Sequence, residues 1–312
     1  MSKRKKPSED NPNSDFCEFL IELAEYEKNI NRNLFKHKAY QKAANVLAAH
    51  PTRVKSGKEA RRLDGIGEKI AKKIDEYLET GKLRKLENIH KDKKANVITL
   101  LTQVSGIGPA KAQNLADMGI ETIEDLRKHT DKLTHHQIVG LKYFEDFQKK
   151  IPREEIEKIE EIIEDELRVL DADYHITICG SYRRGKLESG DIDVLITHPK
   201  YTAETHNKHN DRLKKIVNAL EKSGLITDTL SLGETKFMGA CRLKSGGITR
   251  RLDIRLTPFD QYYCSILYFT GSDMFNRSMR AHATEKGFIL NEYSLRPLGS
   301  TGESQKFDFY SF

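Results

Sequence analysis

From Phe16 onward apolar residues recur at spacings of three and four. Phe16, Phe19, Leu20, Leu23 and Tyr26 mark one face of a helix. A second helix is expected near Lys38–Ala49, ending before Pro51, because a residue ahead of proline is pushed out of helical geometry. Ser56-Gly57-Lys58-Glu59 has the form of a capping box, with Ser56 as N-cap and Glu59 folding back. The short helix it opens gives way to Leu63-Asp64-Gly65-Ile66-Gly67. A longer helix then runs to Thr80, with Gly81 as its stop. The arrangement returns about forty residues later. Val104-Ser105-Gly106-Ile107-Gly108-Pro109 lies between the apolar run Val97–Leu101 and a helix opened by Pro109 and closed by Met118-Gly119. The two stretches form an internal repeat of helix, G-x-G hairpin, helix. Further helices open at Thr122-Ile123-Glu124-Asp125 and at Ile151-Pro152-Arg153-Glu154-Glu155, the latter reaching about Leu170.

Past Leu170 the period changes. Tyr174–Cys179, Ile192–Ile196, Phe237–Leu243 and Arg251–Leu256 are short β-branched or alternating runs, expected as strands. Helical spacing marks Arg212–Leu220, Tyr262–Phe269 and Asp273–Lys286, the last two split by Gly271. The layout is helical first and mixed α and β afterwards, with a break near Pro152. Residues 1–13 are polar, contain Pro7 and Pro12, and are expected to be a disordered tail. Their cluster Lys3-Arg4-Lys5-Lys6 suits a nuclear address as well as it suits a solubilising tail.

The chain has 312 residues, enough for two or three domains. It is 32% charged and 37% hydrophobic, and no run approaches the roughly 20 apolar residues of a membrane span. No apolar stretch follows the N-terminal basic residues, so a secretory signal is not expected. Cys17, Cys179, Cys241 and Cys264 form no C-x-x-C pair, which argues against a structural zinc site or a disulfide framework and for a reducing compartment. Charge is uneven. Residues 1–91 hold 21 Lys and Arg against 14 Asp and Glu, while the remainder holds 32 against 33. A basic module joined to a near-neutral remainder points to an anionic partner, nucleic acid first.

The hairpins fit that partner. Gly65 and Gly67, and again Gly106 and Gly108, allow a tight turn and a close approach of another backbone. Free N–H groups at the following helix start can take a phosphate without reading sequence. One G-x-G is more often only a turn; two in the same context favour DNA binding. The pair is similar to helix-hairpin-helix modules of DNA-repair proteins. That resemblance implies a monovalent cation, Na⁺ or K⁺, on the backbone carbonyls of Arg61, Leu63 and Ile66 and of Thr102, Val104 and Ile107.

The sharpest signal is Cys179-Gly180-Ser181-Tyr182-Arg183-Arg184-Gly185 followed by Ser189-Gly190-Asp191-Ile192-Asp193-Val194. Strand alternation puts Asp191 and Asp193 on one face. Neighbouring carboxylates raise each other's pKa and are best kept by a cation, and hard oxygen ligands on an open site suit Mg²⁺. A third carboxylate, Asp253, lies in Arg251-Leu252-Asp253-Ile254-Arg255, sharing a face with Arg251 and Arg255. D-x-D alone would be a solvent-facing strand edge. Joined to Gly180-Ser181 and Asp253, it resembles the signature of the polymerase-beta-like nucleotidyltransferase superfamily, which implies two metal ions neutralising a transferring phosphate.

The resemblance extends to the family X DNA polymerases. It rests further on His135-His136-Gln137-Ile138-Val139-Gly140-Leu141-Lys142-Tyr143-Phe144, Gly233-Glu234-Thr235-Lys236-Phe237-Met238-Gly239, Tyr268-Phe269-Thr270-Gly271-Ser272-Asp273 and Asn291-Glu292-Tyr293-Ser294-Leu295-Arg296-Pro297-Leu298-Gly299, and runs from about residue 14 to Gly302. It implies a multidomain α + α/β fold. An N-terminal helical helix-hairpin-helix domain precedes a polymerase-beta-like nucleotidyltransferase domain with a mixed sheet. Residues 14–91 would be a 5′-deoxyribose-phosphate lyase domain and 92–151 a DNA-binding subdomain. Residues 152–260 would be the catalytic palm and 261–312 a nucleotide-selecting subdomain, shortened at its C-terminus.

The implied activity is template-directed filling of short gaps in base excision repair with dNTP as substrate. Asp191, Asp193 and Asp253 would hold two Mg²⁺ ions. Ser181, Arg184, Gly190 and Lys150 would meet the triphosphate, with lysine at 150 where the family commonly has arginine. Tyr268, Phe269 and Gly271 would sit against the sugar, Asp273 and Asn276 against the base, Arg280 on the template strand, and Arg255 would be a switch near Asp193.

In the first domain Lys69, Lys72 and Lys73 follow Gly67 on one helix. The residues alone suggest phosphate binding. The family resemblance implies Lys73 as a nucleophile forming a Schiff base with an abasic sugar, releasing the 5′ phosphate by β-elimination. Lys36, Tyr40, Lys69 and Lys85 would bind the 5′-phosphate and DNA, with Glu68 and Lys72 as helpers. Phe35 and Gln41 replace a usual histidine and arginine. Expected partners are gapped or nicked duplex DNA with a 5′ phosphate or deoxyribose phosphate, and repair proteins. The expected state is a monomer in the nucleus, with no membrane partner. Two rivals stand beside this reading. One is a template-independent transferase, disfavoured by the short Cys241–Arg250 segment; the other is a non-catalytic DNA-end scaffold, which has no use for three aspartates.

Overall fold

The computed structural model describes residues 11–205, 211–243 and 247–299. It divides into two compact units, Met1–Gln137 and Ile138–Phe312. Residues 1–10 of the expected tail, and residues 300–312 where the expected shortening of the C-terminus falls, lie outside the described residues.

The first unit is built from α1 (Ser14–Asn29), α2 (Leu34–Ala49), α3 (Gly57–Ala60), α4 (Glu68–Thr80), α5 (Arg84–Lys91), α6 (Lys93–Leu101), α7 (Pro109–Asp117) and α8 (Ile123–Lys128). The apolar face of α1 closes on α2 and α4 through Phe16, Leu20, Leu23, Leu47 and Ile74, all fully buried. Two expectations are corrected here. Residues 11–13 are not tail. Asn13 is buried, its amide donating to the carbonyls of Leu47 (3.2 Å) and Thr52 (2.9 Å) while its Oδ1 accepts from Val54 N–H (2.9 Å). One side chain thus pairs backbone groups that the end of α2 would leave without partners. The second helix starts at Leu34, not Lys38, because Asn33 Oδ1 caps the Lys36 N–H at 3.0 Å. Ser56 caps α3 as expected, accepting from Glu59 N–H at 3.1 Å, but the Glu59 carboxylate folds one residue further back, to Lys55 N–H (2.8 Å). Helix α5 has no counterpart in the sequence reading.

The boundary between the units falls within α9 (His135–Lys142), and the second unit continues with α10 (Phe144–Phe147). It contains β1 (Ile151–Pro152), α11 (Arg153–Leu170), β2 (His175–Ile178), α12 (Gly180–Arg183), β3 (Glu188–Ser189), β4 (Ile192–Thr197), α13 (Arg212–Lys222), β5 (Ile226–Leu232), β6 (Lys236–Cys241) and β7 (Arg250–Leu256). Helices α14 (Tyr262–Thr270) and α15 (Asp273–Glu285) and the hairpin β8 (Phe288–Leu290)–β9 (Leu295–Pro297) complete it. The main sheet has the order β2-β4-β7-β6-β5, with β4 and β7 parallel and the other pairs antiparallel. Ile156, Ile159, Ile163 and Leu167 of α11 and Leu213, Ile216, Val217 and Leu220 of α13 share one core with Ile192, Val194, Ile196, Leu252, Ile254 and Leu256. Period-two alternation turns the intervening residues of β4 and β7, Asp193, Arg251, Asp253 and Arg255, to the opposite face. Strand β5 was not foreseen. Its run Ile226–Leu232 carries two register irregularities against β6, which blur the alternation that marks a strand.

Arg250 fastens this sheet to the chain entering it. Its side chain is 4% exposed, and its guanidinium grips Glu155 with two bonds of 2.8 and 2.7 Å. It also donates to the carbonyls of Lys149 (3.2 Å) and Lys150 (3.1 Å). Arg250→Ala strands a largely buried carboxylate and two carbonyls, and is expected to cost the second unit about 3–5 kcal/mol in urea unfolding. An unchanged midpoint would show that the pair contributes nothing.

Candidate active site

The carboxylate centre is made by strand register. Asp193 of β4 and Asp253 of β7 lie directly opposite each other across the parallel pair, and Asp191 immediately precedes β4. Burial, then the charges of Asp191 and Asp253, push the Asp193 carboxyl up to about 7. Asp191 is raised by burial and by Asp253, against the pull of Arg251. The guanidinium of Arg251 stands between them, 2.9 Å from Asp253 and 3.7 Å from Asp191. The sequence placed Arg251 on this face without giving it a role; it supplies the positive charge that lets the carboxylates coexist.

The donor set fits a hard divalent cation. These are carboxylate oxygens, crowded and partly desolvated; burial, then the charges of Asp191 and Asp253, raises the Asp193 pKa, and a bound cation relieves both. A tighter grouping exists elsewhere among the described residues, Asp171, Asp173 and His198. It is spoken for within the fold. His198 is buried, with Nε2 on Asp171 (3.0 Å) and Nδ1 accepting from Lys200 N–H (3.0 Å), so no ring lone pair is left for a metal.

Around the carboxylates the expected residues gather. Gly180 has φ +57°, and a Cβ there would fall 2.3 Å from Asp193 Oδ2, so only glycine fits beside that carboxylate. Ser181 Oγ donates to Ser189 Oγ at 2.8 Å, and Arg184 donates to the Thr270 carbonyl at 2.6 Å, tying this turn to the end of α14. Lys150 Nζ lies 3.9 Å from the point where a Gly190 Cβ would sit. Asp193, Asp253, Arg255 and Phe269 line one cavity of about 60 Å³. Arg255 holds its guanidinium 5.3 Å from the Phe269 ring, with Nε buried and unbonded.

The residues expected to face a nucleotide are engaged with one another and with neighbouring side chains. Tyr268 and Phe269 pack edge to face at 5.0 Å. Gly271 has φ +61° and precedes a cis peptide bond to Ser272. Asn276 donates to the Tyr268 carbonyl (2.8 Å), and Asp273 is paired with Arg277. Arg280 sits over the Tyr268 ring (5.2 Å) and reaches Glu292 (3.4 Å).

The first unit holds a second constellation. Lys73 of α4 is half-buried, its Nζ 3.3 Å from the Lys69 carbonyl. Burial, then the Lys85 charge, lower its pKa against the opposing pull of Glu76. Lys85 of α5 is near the rings of Tyr26 (5.8 Å) and Tyr40 (5.9 Å). Lys69 is exposed, Lys72 pairs with Glu68 at 2.8 Å, and Phe35 stands 83% exposed at the start of α2. Sequence reasoning missed Glu27, which is fully buried and bonded to Lys85 at 2.6 Å. A signal existed: Glu27 continues the buried stripe Leu20, Leu23 of α1, where a carboxylate needs a partner.

The hairpins are near duplicates. Gly65 and Gly106 have φ +80° and +86°, Ile66 and Ile107 are buried, and Gly67 and Gly108 cap α4 and α7 with ψ 172° in both. A Cβ on Gly67 or Gly108 would meet nothing within 4 Å, so both helix starts are open to another backbone. The carbonyls of Leu63 and Val104 accept the turn bonds from Ile66 (3.2 Å) and Ile107 (3.0 Å).

Comparison with known proteins agrees along the chain. Residues 11–83 match the helix-hairpin-helix domain family, 99–148 the fingers domain of DNA polymerase lambda, 150–259 the DNA polymerase beta palm and 265–309 the DNA polymerase beta thumb. DNA polymerase lambda of Rattus norvegicus is 37% identical over 273 residues, covering 86% of this chain and 46% of the relative. DNA polymerase lambda of Arabidopsis thaliana is 34% identical over 300 residues, covering 88% and 56%. The chain therefore spans about half the length of these relatives.

Proposed function

The chain belongs to the family X DNA polymerases of the polymerase beta type, and from that membership we propose that it fills short gaps in DNA during base excision repair, adding template-directed deoxynucleotides and removing a 5′-deoxyribose phosphate. The observation that carries the reading is the register of Asp193 opposite Asp253 with Gly180 against the Asp193 carboxylate.

Asp191, Asp193 and Asp253 would hold two Mg²⁺ ions. Bound there, the ions supply charge neutralisation for the triphosphate and a lowered pKa for the attacking 3′-hydroxyl. The chain's own contribution is positioning. Ser181, Arg184, Gly190 and Lys150 orient the triphosphate for in-line displacement of pyrophosphate. Tyr268, Phe269 and Gly271 meet the sugar, and Asp273 and Asn276 the base. Arg280 meets the template strand, while Arg255 is a switch beside Asp193. For Asn276 and Arg280 this means exchanging their bonds to the Tyr268 carbonyl and Glu292 for bonds to DNA and nucleotide.

In the first unit Lys73 attacks the aldehyde carbon of the abasic sugar. The carbonyl oxygen leaves as water, and β-elimination then frees a DNA end bearing a 5′ phosphate. Lys36, Tyr40, Lys69 and Lys85 hold that phosphate. The hairpins grip the DNA backbone on either side of the gap, with a monovalent cation on the carbonyls of Arg61, Leu63 and Ile66 and of Thr102, Val104 and Ile107. In this division of labour residues 14–91 are the lyase, 92–151 the DNA-binding part, 152–260 the palm and 261–312 the nucleotide-selecting part, acting in the nucleus. No helix among the described residues is long and apolar enough to cross a membrane.

Single-nucleotide extension on a one-nucleotide gapped duplex with a 5′ phosphate and Mg²⁺ tests this. The expected product is one added complementary deoxynucleotide. Addition of all four nucleotides alike would make the chain a template-independent transferase. Tight gap binding with no addition would make it a scaffold.

A further inference from the structure

Glu27 is the least accessible charged group of the first unit's lysine cluster, and it divides its two oxygens. Oε1 takes the Lys85 ammonium at 2.6 Å. Oε2 takes the Asn31 amide at 2.9 Å and faces the Lys36 ammonium at 3.8 Å. The carboxylate is wholly buried, whereas Lys36 and Lys85 remain 56% and 39% exposed. Lys85 donates one of its three N–H groups to Glu27, and Lys36 is drawn to it at 3.8 Å by charge alone, so both ammonium groups keep donors toward solvent. Burial opposes ionisation of Glu27, yet the bonds from Lys85 and Asn31 and the charges of Lys85 and Lys36 outweigh it and hold its carboxyl below the usual range.

We propose that Glu27 is a positioning residue, a buried anionic floor that fixes Lys85 and Lys36 as two prongs of a preformed clamp for a terminal 5′-phosphate. The inference rests on the phosphate-binding reading of this unit and deepens it. Two ammonium groups brought together without a counter-ion repel, and long lysine side chains lose rotamer freedom when a ligand must order them. A carboxylate beneath removes both obstacles before DNA arrives. One negative charge against two positive ones leaves the pair attractive to a phosphate dianion.

Lys73 feels the same arrangement. The charged and titratable groups around it are Lys85 of α5, Glu76 and Lys69 of its own helix, Glu27 of α1, and Lys36 and Tyr40 of α2, the last two through Glu27 and Lys85. Glu27 raises the Lys73 pKa and Lys85 lowers it. Neutralising Glu27 therefore moves the Lys73 amine further down.

The test uses the full chain. Binding is measured to a one-nucleotide gapped duplex ending in a 5′-phosphate and to the same duplex ending in a 5′-hydroxyl. The wild type is expected to prefer the phosphate, and Glu27→Gln to lose about tenfold of that preference, although it adds net positive charge. Borohydride trapping on an abasic end is then followed against pH, where the midpoint should fall in Glu27→Gln. Glu27→Asp keeps the charge, withdraws it by one methylene, and should be intermediate in preference; it decides the matter if Glu27→Gln does not fold. Wild-type preference in Glu27→Asp and in any folded Glu27→Gln, with an unmoved pH midpoint, overturns the inference. A wild type indifferent to the 5′-phosphate would overturn the underlying phosphate-site reading instead.

Discussion

Asp253→Ala is expected to lower single-nucleotide insertion by about a thousandfold or more while leaving gap binding within a few-fold, since a metal clamp contributes several kcal/mol to phosphoryl transfer and little to duplex binding. The geometry gives the reason. Asp253 faces Asp193 across the parallel strand pair and holds Arg251 at 2.9 Å. On the proposed reading, the cation site then loses a ligand, and the freed guanidinium is left beside Asp191, where it would compete with a divalent ion. Titration with Mg²⁺ separates these effects from misfolding: the variant should keep the unfolding midpoint of the wild type and fail to recover at high Mg²⁺. Insertion at an undiminished rate would remove Asp253 from the active site.

The second large effect belongs to the other unit. Lys73→Ala is expected to abolish borohydride trapping on a 5′-deoxyribose-phosphate end while leaving nucleotide insertion intact. Burial and the Lys85 ammonium lower the Lys73 pKa. An amine with a lowered pKa holds its reactive neutral form at lower pH, so trapping should climb with pH and level off earlier than for an ordinary lysine. Lys85→Gln removes the cation whose charge lowers the Lys73 pKa most and should move that rise to higher pH. An adduct that persists in Lys73→Ala would transfer the nucleophile to Lys69 or Lys72, which share the helix.

Much of this was present in the chain as local pattern. The hairpin repeat was legible because Gly65 and Gly106 must adopt positive φ within turns of fixed length, and a turn is written in consecutive residues. The face of Asp193 in one strand and the face that Asp253 shares with Arg251 and Arg255 in another were legible because alternation in a strand is a property of the strand alone. The spans of α4, α7 and α11 followed from caps and periodicity, which act within a few residues. The tail boundary and the start of α2 were misplaced for the complementary reason: Asn13 is ordered by bonds to residues 34 and 39 positions away, and Asn33 announces a helix start only when its side chain turns onto Lys36.

For the elements it did reveal, the sequence by itself determined which side chains lie on which face, and with that the aspartates, the hairpins and the lysine-rich helix. Only the tertiary structure decided what those faces meet. Glu27 is joined to Lys85 across 58 positions and Arg250 to Glu155 across 95, and Arg251 comes to stand between Asp253 and Asp191 only when β7 is laid beside β4. Periodicity can say that a charge points inward. Which opposite charge it finds there depends on how separate elements pack, and that packing is set by the summed burial of many apolar residues, none of which names the partner.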